Sequence, residues 1–488
     1  LAAPAALIIG FVAAALALSA ALNISPDEWN SLRTTSRGLG FAYSTGTGYE
    51  ALPPIYPLLL DVWRGISPKI QFARLLSILA AAGTIAIAYR FALRRTSALS
   101  PFVFALAVAV APFAVFAAVE IRLYALAICL SAALALTFLD GFVDERLARN
   151  ARIAHVVLVA LAPYLQYYIA AQVLGELVAL LVMRRGRALR DAIPYAIGIV
   201  AWLPAIALAR TQIGVYDEGS TISQQVHGLV ITFGSFLVPN EWRGLFPAHT
   251  WTIYLALALV ALAFASLCAT RAKLDDDLIA QAIVVATIVA FFLAVPIVLH
   301  KTIAYPRHIA TLFFPSLALA AMLVDRSIRA HSPLWRPVVV LYFGAALASL
   351  VATYSSFTKE GNYRRAAEYV MDHGLPGEPV FAFNLESVGP LQVYYRGSGP
   401  IHGLPQDQQF ERWDRRSFAI RSTAQIRAAL SGIAPGRRVW IYLGPDCFVA
   451  KVEERGGCGY LREVVAHDFT TVSSKRLTNV ELLDLQRR

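Results

Sequence analysis

Charge is scarce in this chain. Asp, Glu, Lys and Arg make up 15% of its 488 residues against 57% hydrophobic ones, and the mean hydropathy is +0.57. That balance excludes an ordinary soluble globular protein. Cysteine is scarce as well. Of the four, Cys129 and Cys268 lie inside apolar runs, while Cys447 and Cys458 have no histidine close by, so a Cys/His metal cluster finds no support. The sequence also lacks a P-loop, an HExxH and a GxSxG pattern. Nucleotide-driven transport and zinc or serine hydrolysis lose support with them. No internal repeat and no low-complexity tract appears beyond alanine-rich runs.

Long apolar runs, by contrast, are abundant. Eleven stretches before residue 356 approach the roughly 20 residues that cross about 30 Å of hydrocarbon. They fall near 2–22, 72–91, 99–119, 122–141, 152–164, 166–183, 192–209, 251–269, 278–299, 308–325 and 337–355. The pattern predicts a polytopic α-helical membrane protein with about 11 transmembrane helices, in the range 11–13. The first run is read as a retained helix, because it is longer than the apolar part of a usual signal peptide.

Lysine and arginine mark the inner side of a membrane, whereas acidic residues say little. The short loops after the second, fourth, sixth, eighth and tenth runs carry Arg94 and Arg95, Arg146 and Arg149, Arg184 and Arg185, Arg271 and Lys273, and Arg326 and Arg329. Alternation then places loops 23–71, 210–250 and 300–307, and the segment 357–488, outside. Much of the net charge of +11 belongs to these inner loops, where anionic headgroups of membrane lipids are the expected partners and nucleic acid is not. Alanine- and arginine-rich usage points to a bacterial inner (plasma) membrane, with the outer face in the periplasm. Cys447 and Cys458 then lie in an oxidising compartment, and a local disulfide is expected.

Two outer loops are long, and loops of that length in a compact domain are usually functional. In 23–71, Pro53, Pro54 and Pro57 interrupt any single helix. Short interfacial helices are expected there, with Tyr56, Trp63 and Arg64 at the headgroup boundary. Loop 210–250 contains the apolar patch "VITFGSFLVP", a candidate re-entrant or lid helix. From residue 357 charge rises and the patterns alternate: "YRRAAEYVMDH" reads as a helix and "EPVFAF", "RRVWIYLG" and "TNVELLDL" as strands. The expectation is a transmembrane domain over 1–356 and a small soluble α/β domain over 357–488.

The ionisable residues of interest sit on the outer loops. In "ISPDEWNSLR", Ser25, Pro26 and Glu28 form a capping box with proline at the first helical position. That explains Glu28 structurally and leaves Asp27 without such a task. On this reading Asp27→Asn should abolish function and Glu28→Gln should be milder. "VEIRLY" brings Glu120, Arg122 and Tyr124 to the junction of the third and fourth runs, and "HKTIAYPRH" brings His300, Lys301, Tyr305, Arg307 and His308 to the last outer loop. Arg, Lys and Tyr at helix ends commonly anchor to headgroups. Charges at membrane depth, however, more often mark substrate paths, and three outer loops converge on one face.

Taken in order, "PDEW", "LPPIYPLLL", "EIRLYAL", "YLQYYIA" and "YPRHIATLFFPSLAL" resemble the GT-C superfamily of polyprenyl-phosphate-sugar glycosyltransferases across residues 1–325. Within it they are similar to glycosyltransferase family 39, the branch of protein O-mannosyltransferases and of the lipid A aminoarabinose and galacturonic acid transferases. The resemblance implies inverting transfer of a sugar from a polyprenyl-phosphate donor to a lipid, glycan or protein acceptor. That chemistry needs a carboxylate to take the acceptor proton and cations to hold the departing phosphate. Asp27 is the implied base, with Glu28 beside it and Glu120 positioning acceptor or sugar. Arg307, Arg122, Lys301 and His308 are the implied phosphate ligands, and Tyr56, Tyr124, Tyr305 and His300 line the site. Leu52 and Gln166 stand where the family often has histidine, so no metal is assigned. A lipid or solute transporter or flippase, which would also bury paired charges, and a polymerase or ligase of lipid-linked glycans are the alternatives.

Overall fold

The computed structural model describes residues 2–144, 148–183, 188–212, Ser223, Val226, 275–299, 308–354, Lys359, 361–410, 418–448 and 457–488. Six of its helices are long and apolar enough to cross a membrane, and eight spans result if each of two bent helix pairs counts as one. The chain is a multi-pass α-helical membrane protein.

The first helix, α1 (Ala2–Ala21), is apolar all round, as a lipid-facing span must be. Three short helices follow, α2 (Pro26–Thr34), α3 (Leu39–Gly48) and α4 (Ile55–Arg64). The proline-rich loop thus forms the expected short helices, and two of its residues make contacts within the protein. Tyr56 is buried, and Arg64 donates from Nη1 to the carbonyls of Leu32 at 2.6 Å and Thr35 at 2.8 Å, satisfying the C-terminal end of α2.

The span α5 (Ile70–Arg95) packs against α1 and against α8 (Tyr124–Phe138). Between them the run read at 99–119 breaks into α6 (Pro101–Ala109) and α7 (Pro112–Ala118), bent by 60°. Pro112 is the cause: it has no N–H to continue α6 but suits the first turn of a new helix. The next segments are α9 (Ala148–Leu165), α10 (Ala170–Met183), α11 (Ala188–Val200) and α12 (Leu203–Gln212), the last two bent by 52°. The spans α13 (Asp276–Leu299), α14 (Ala310–Arg329) and α15 (Trp335–Tyr354) complete the bundle. The run read at 251–269 and nearly all of loop 210–250 lie outside the described residues. Gly175 lets α10 close on α13, because a Cβ there would stand 2.9 Å from the Cα of Val284.

At the end of α5 and the start of α13, arginines read as headgroup anchors are paired within the protein. Arg95 bonds Asp277 at 2.9 Å and, with Arg94, Asp140. Asp325 of α14 accepts from the backbone N–H groups of Ser97, Ala98 and Leu99 at 2.7–2.9 Å.

The C-terminal segment is a three-layer α/β structure. Its helices are α16 (Tyr363–His373), α17 (Val388–Tyr394), α18 (Thr423–Ala429) and α19 (Cys458–Asp468), and its strands β1 (Val380–Phe383), β2 (Ile401–Gly403), β3 (Arg438–Leu443), β4 (Phe469–Leu477) and β5 (Val480–Arg487). Strand order is β2-β1-β3-β5-β4, with β1 parallel to β2 and β3 and the remaining pairs antiparallel. Alternate residues feed two cores, as a period of two requires. Phe381, Val439, Ile441 and Leu443 meet α18 and α19, while Val380, Ala382, Trp440 and Tyr442 meet α16 and α17. Three strands were read from the sequence; β2 and the polar, exposed edge strand β4 were not. Cys447 and Cys458 form the expected disulfide, with Cα atoms 5.6 Å apart.

Candidate active site

The capping box read from the sequence is present. The Ser25 hydroxyl accepts from the Glu28 N–H at 3.3 Å, and Glu28 Oε2 accepts from the Ser25 N–H at 3.0 Å. Glu28 does more than cap. Its carboxylate is fully buried and takes Arg74 Nε at 2.7 Å, Arg74 Nη2 at 2.8 Å, Lys359 Nζ at 2.8 Å and the Ile121 N–H at 3.1 Å. Arg74 in turn donates to the carbonyls of Ser19, Leu22 and Asn23 at the end of α1. Lys359 also reaches Glu120 Oε1 at 2.6 Å. Glu28, Glu120, Arg74 and Lys359 thus form a buried cluster of two acids and two bases.

Burial alone would raise the Glu28 carboxyl, but Arg74 and Lys359 together overcome it and hold the group at about 2. Glu120, buried and facing the charge of Glu28, is pushed up to about 7, although Lys359 and Arg74 pull the other way. Two carboxylates in one cluster are therefore driven apart.

Asp27 lies on the other side of the same helical turn. Its side chain is 36% exposed, and its Oδ1 stands 3.6 Å from an Arg122 nitrogen. Arg122 is buried and also engages Glu50, the Ser31 hydroxyl at 3.1 Å and the Asp27 carbonyl at 3.4 Å. Glu50 completes this second group by accepting from Thr34 Oγ1 at 2.5 Å, and burial raises its carboxyl despite Arg122. Tyr56 lies beneath, its phenol raised well above 10 by burial. Arg122, expected to hold phosphate, faces the carboxylates of Glu50 and Asp27 here. Glu28, expected as a second catalytic acid, has both oxygens committed to the cluster.

Of the remaining expected residues, Tyr124 begins α8 and stacks on Phe116 with ring centres 6.2 Å apart. His308 stacks on Tyr168 at 5.0 Å. His300, Lys301, Tyr305 and Arg307 lie outside the described residues.

Three residues of these two groups were not found by sequence reasoning. Glu50 is the lone acid between residues 29 and 60, and Arg74 the lone charge between 70 and 89. Each isolation was a usable signal, since unpaired charges in apolar runs seek partners. Lys359 carries no comparable mark. Among the described residues no three His, Cys, Asp or Glu gather, and the carboxylates of Glu28, Glu50 and Glu120 are engaged by cations.

The C-terminal α/β segment seats directly on this region. Tyr394 Oη accepts from the Ile24 N–H at 2.9 Å, and Gln408 Nε2 donates to Tyr49 Oη at 2.6 Å. Phe410 packs between Trp29 and Tyr49, ring centres 5.6 Å apart in each case, under the guanidinium of Arg33 at 3.5 Å. Gly389 lies against the Trp29 ring so closely that no Cβ would fit.

Comparison of sequences matches no family model and no curated protein. Comparison of structures does find likenesses. Over 98% of this chain and 97% of the other, the fold matches ArnT from Cupriavidus metallidurans in the apo state, at 16% identity and a TM-score of 0.57. The same protein bound to undecaprenyl phosphate matches over the same shares, at 14% identity and a TM-score of 0.55. The chain has the GT-C fold. The likeness of fold runs through the membrane bundle and the C-terminal segment alike, since almost the whole of each chain is covered. The membrane bundle is where the sequence resemblance lay. The C-terminal segment carried no motif, and its likeness is one of fold alone.

Proposed function

We propose that this protein is an inverting glycosyltransferase that moves a sugar from a polyprenyl-phosphate donor to a hydroxyl acceptor on the outer face of the membrane. The observation that carries the reading is Asp27: a partly exposed carboxylate, oriented by Arg122, in a fold shared with a protein bound to undecaprenyl phosphate. The acceptor hydroxyl gives its proton to Asp27. Its oxygen attacks the anomeric carbon from the side opposite the phosphate, the bond to the phosphate oxygen breaks, and polyprenyl phosphate departs with the electron pair.

Arg122 serves this step by fixing Asp27, and Glu50 anchors Arg122. Glu28 holds the loops in place, and Glu120, pushed up to about 7 by burial and by the charge of Glu28, positions acceptor or sugar. The departing phosphate falls to Lys301 and Arg307, with His308 and His300 close by in sequence; Tyr124 and Tyr305 line the site and Tyr56 supports its floor. Lipid, glycan and protein hydroxyls are all compatible acceptors. Arginine-rich inner ends support an inner-membrane orientation in which the site and the soluble domain face the periplasm.

Purified protein in liposomes tests this. Labelled sugar should pass from a polyprenyl-phosphate donor to an acceptor pool of membrane lipid, glycan or protein. Substrate-dependent flux across the liposome without transfer would instead establish a transporter.

A further inference from the structure

We propose that Lys359 is a positioning residue that fixes the outer loops around the reacting groups from the linker to the soluble domain. It lies between α15 and α16, outside every motif the sequence displays, yet it is buried against three different parts of the membrane domain. Its Nζ donates to Glu28 Oε2 at 2.8 Å, Glu120 Oε1 at 2.6 Å and the Val119 carbonyl at 3.0 Å, and its backbone N–H donates to Asn23 Oδ1 at 2.9 Å. One ammonium thereby joins the start of α2 to the α7–α8 junction.

The consequence lies within two residues on each side. Asp27 directly precedes Glu28, and Arg122 stands two positions after Glu120. The 3.6 Å approach of Asp27 to Arg122 is therefore set by two loops that Lys359 ties together. The same linker leads into the soluble domain, whose Arg364 donates to the carbonyls of Ala21 at 3.2 Å and Leu22 at 3.5 Å. Lys359 and Arg364 are thus two cations on that seam, and Lys359 is the one that meets carboxylates.

This inference rests on the proposed transfer reaction, and its test separates the two. In the full chain, K359M should lower kcat about 100-fold, the scale of an ångström misplacement of reacting groups, while KM for the polyprenyl-phosphate donor stays within about twofold. K359R should recover most of the rate, because a guanidinium can bridge the same two carboxylates. E120Q/K359M, which removes one charge of each sign, should fold as the wild type does and remain slow. Infrared titration of the Glu120 carboxyl, assigned by its loss in E120Q, reads the clasp without any turnover: its midpoint should rise in K359M, since Lys359 favours the ionised form. A wild-type rate for K359M, a loss only in proportion to unfolded protein, or an unmoved carboxyl midpoint would each overturn the role. If the wild type transfers no sugar, the function fails and the infrared shift alone decides the clasp.

Discussion

Replacing Glu28 by glutamine separates local from tertiary structure. The capping box survives the change, because glutamine can also close it, so from local structure alone the cost should be small. The buried cluster leads to a different expectation. Glu28→Gln removes the negative charge that Arg74 and Lys359 share, and breaking a buried ion pair on one side costs about 3–5 kcal/mol. Two features place the cost at the lower end. Arg74 keeps three carbonyl acceptors. Glu120, relieved of the facing charge, ionises more readily and pairs with Lys359. The expected loss is about 3 kcal/mol, measured as the shift in a reversible SDS unfolding titration in mixed micelles. E28Q/K359M should cost less than the sum of its parts, by about 1–3 kcal/mol. A loss under about 1 kcal/mol for Glu28→Gln, with additive double substitution, would refute the cluster as a stabilising unit.

The same cluster sets a pH dependence with two limbs. Glu120, raised to about 7 from an ordinary 4.5, keeps its proton where the unfolded chain has lost it. Its stabilisation is complete below 4.5 and is lost as pH rises to about 7, on the order of 3 kcal/mol; E120Q should flatten this limb in thermal unfolding across that window. Glu28, lowered to about 2, works in the opposite sense: its stabilisation is present above 4.5 and is lost as pH falls toward 2. In the soluble domain, C447S should lower stability by about 2–4 kcal/mol through the released loop. Thermal unfolding with and without reductant checks this, and reductant should leave C447S unchanged.

What could be read from residues alone divides along physical lines. Local rules sufficed for the capping box at Ser25 and Glu28, for α16 at Tyr363–His373 and for the strands β1, β3 and β5, because helix caps and alternation act over a few residues. Apolar length sufficed for the spans, while the bend at Pro112 was hidden within one continuous apolar run although the proline that causes it stands in the sequence. Partners were the illegible part. Glu28 and Lys359 are 331 positions apart, and no periodicity joins them. Arg122 looked like a phosphate ligand because arginine suits phosphate; only the fold brings Glu50 and Asp27 to it. Strand β4 escaped because its exposed polar pattern is that of an edge.

The central claim is that Asp27 takes the acceptor proton, and Asp27→Asn tests it most directly. Asparagine keeps the shape of the side chain and the helix start but cannot accept that proton. The variant should fold, bind polyprenyl phosphate with affinity within about threefold of wild type, and transfer labelled sugar at least about 100-fold more slowly, the usual contribution of a positioned base. Transfer within about threefold of the wild-type rate, in protein of wild-type stability, would contradict the account and move the proton acceptor elsewhere.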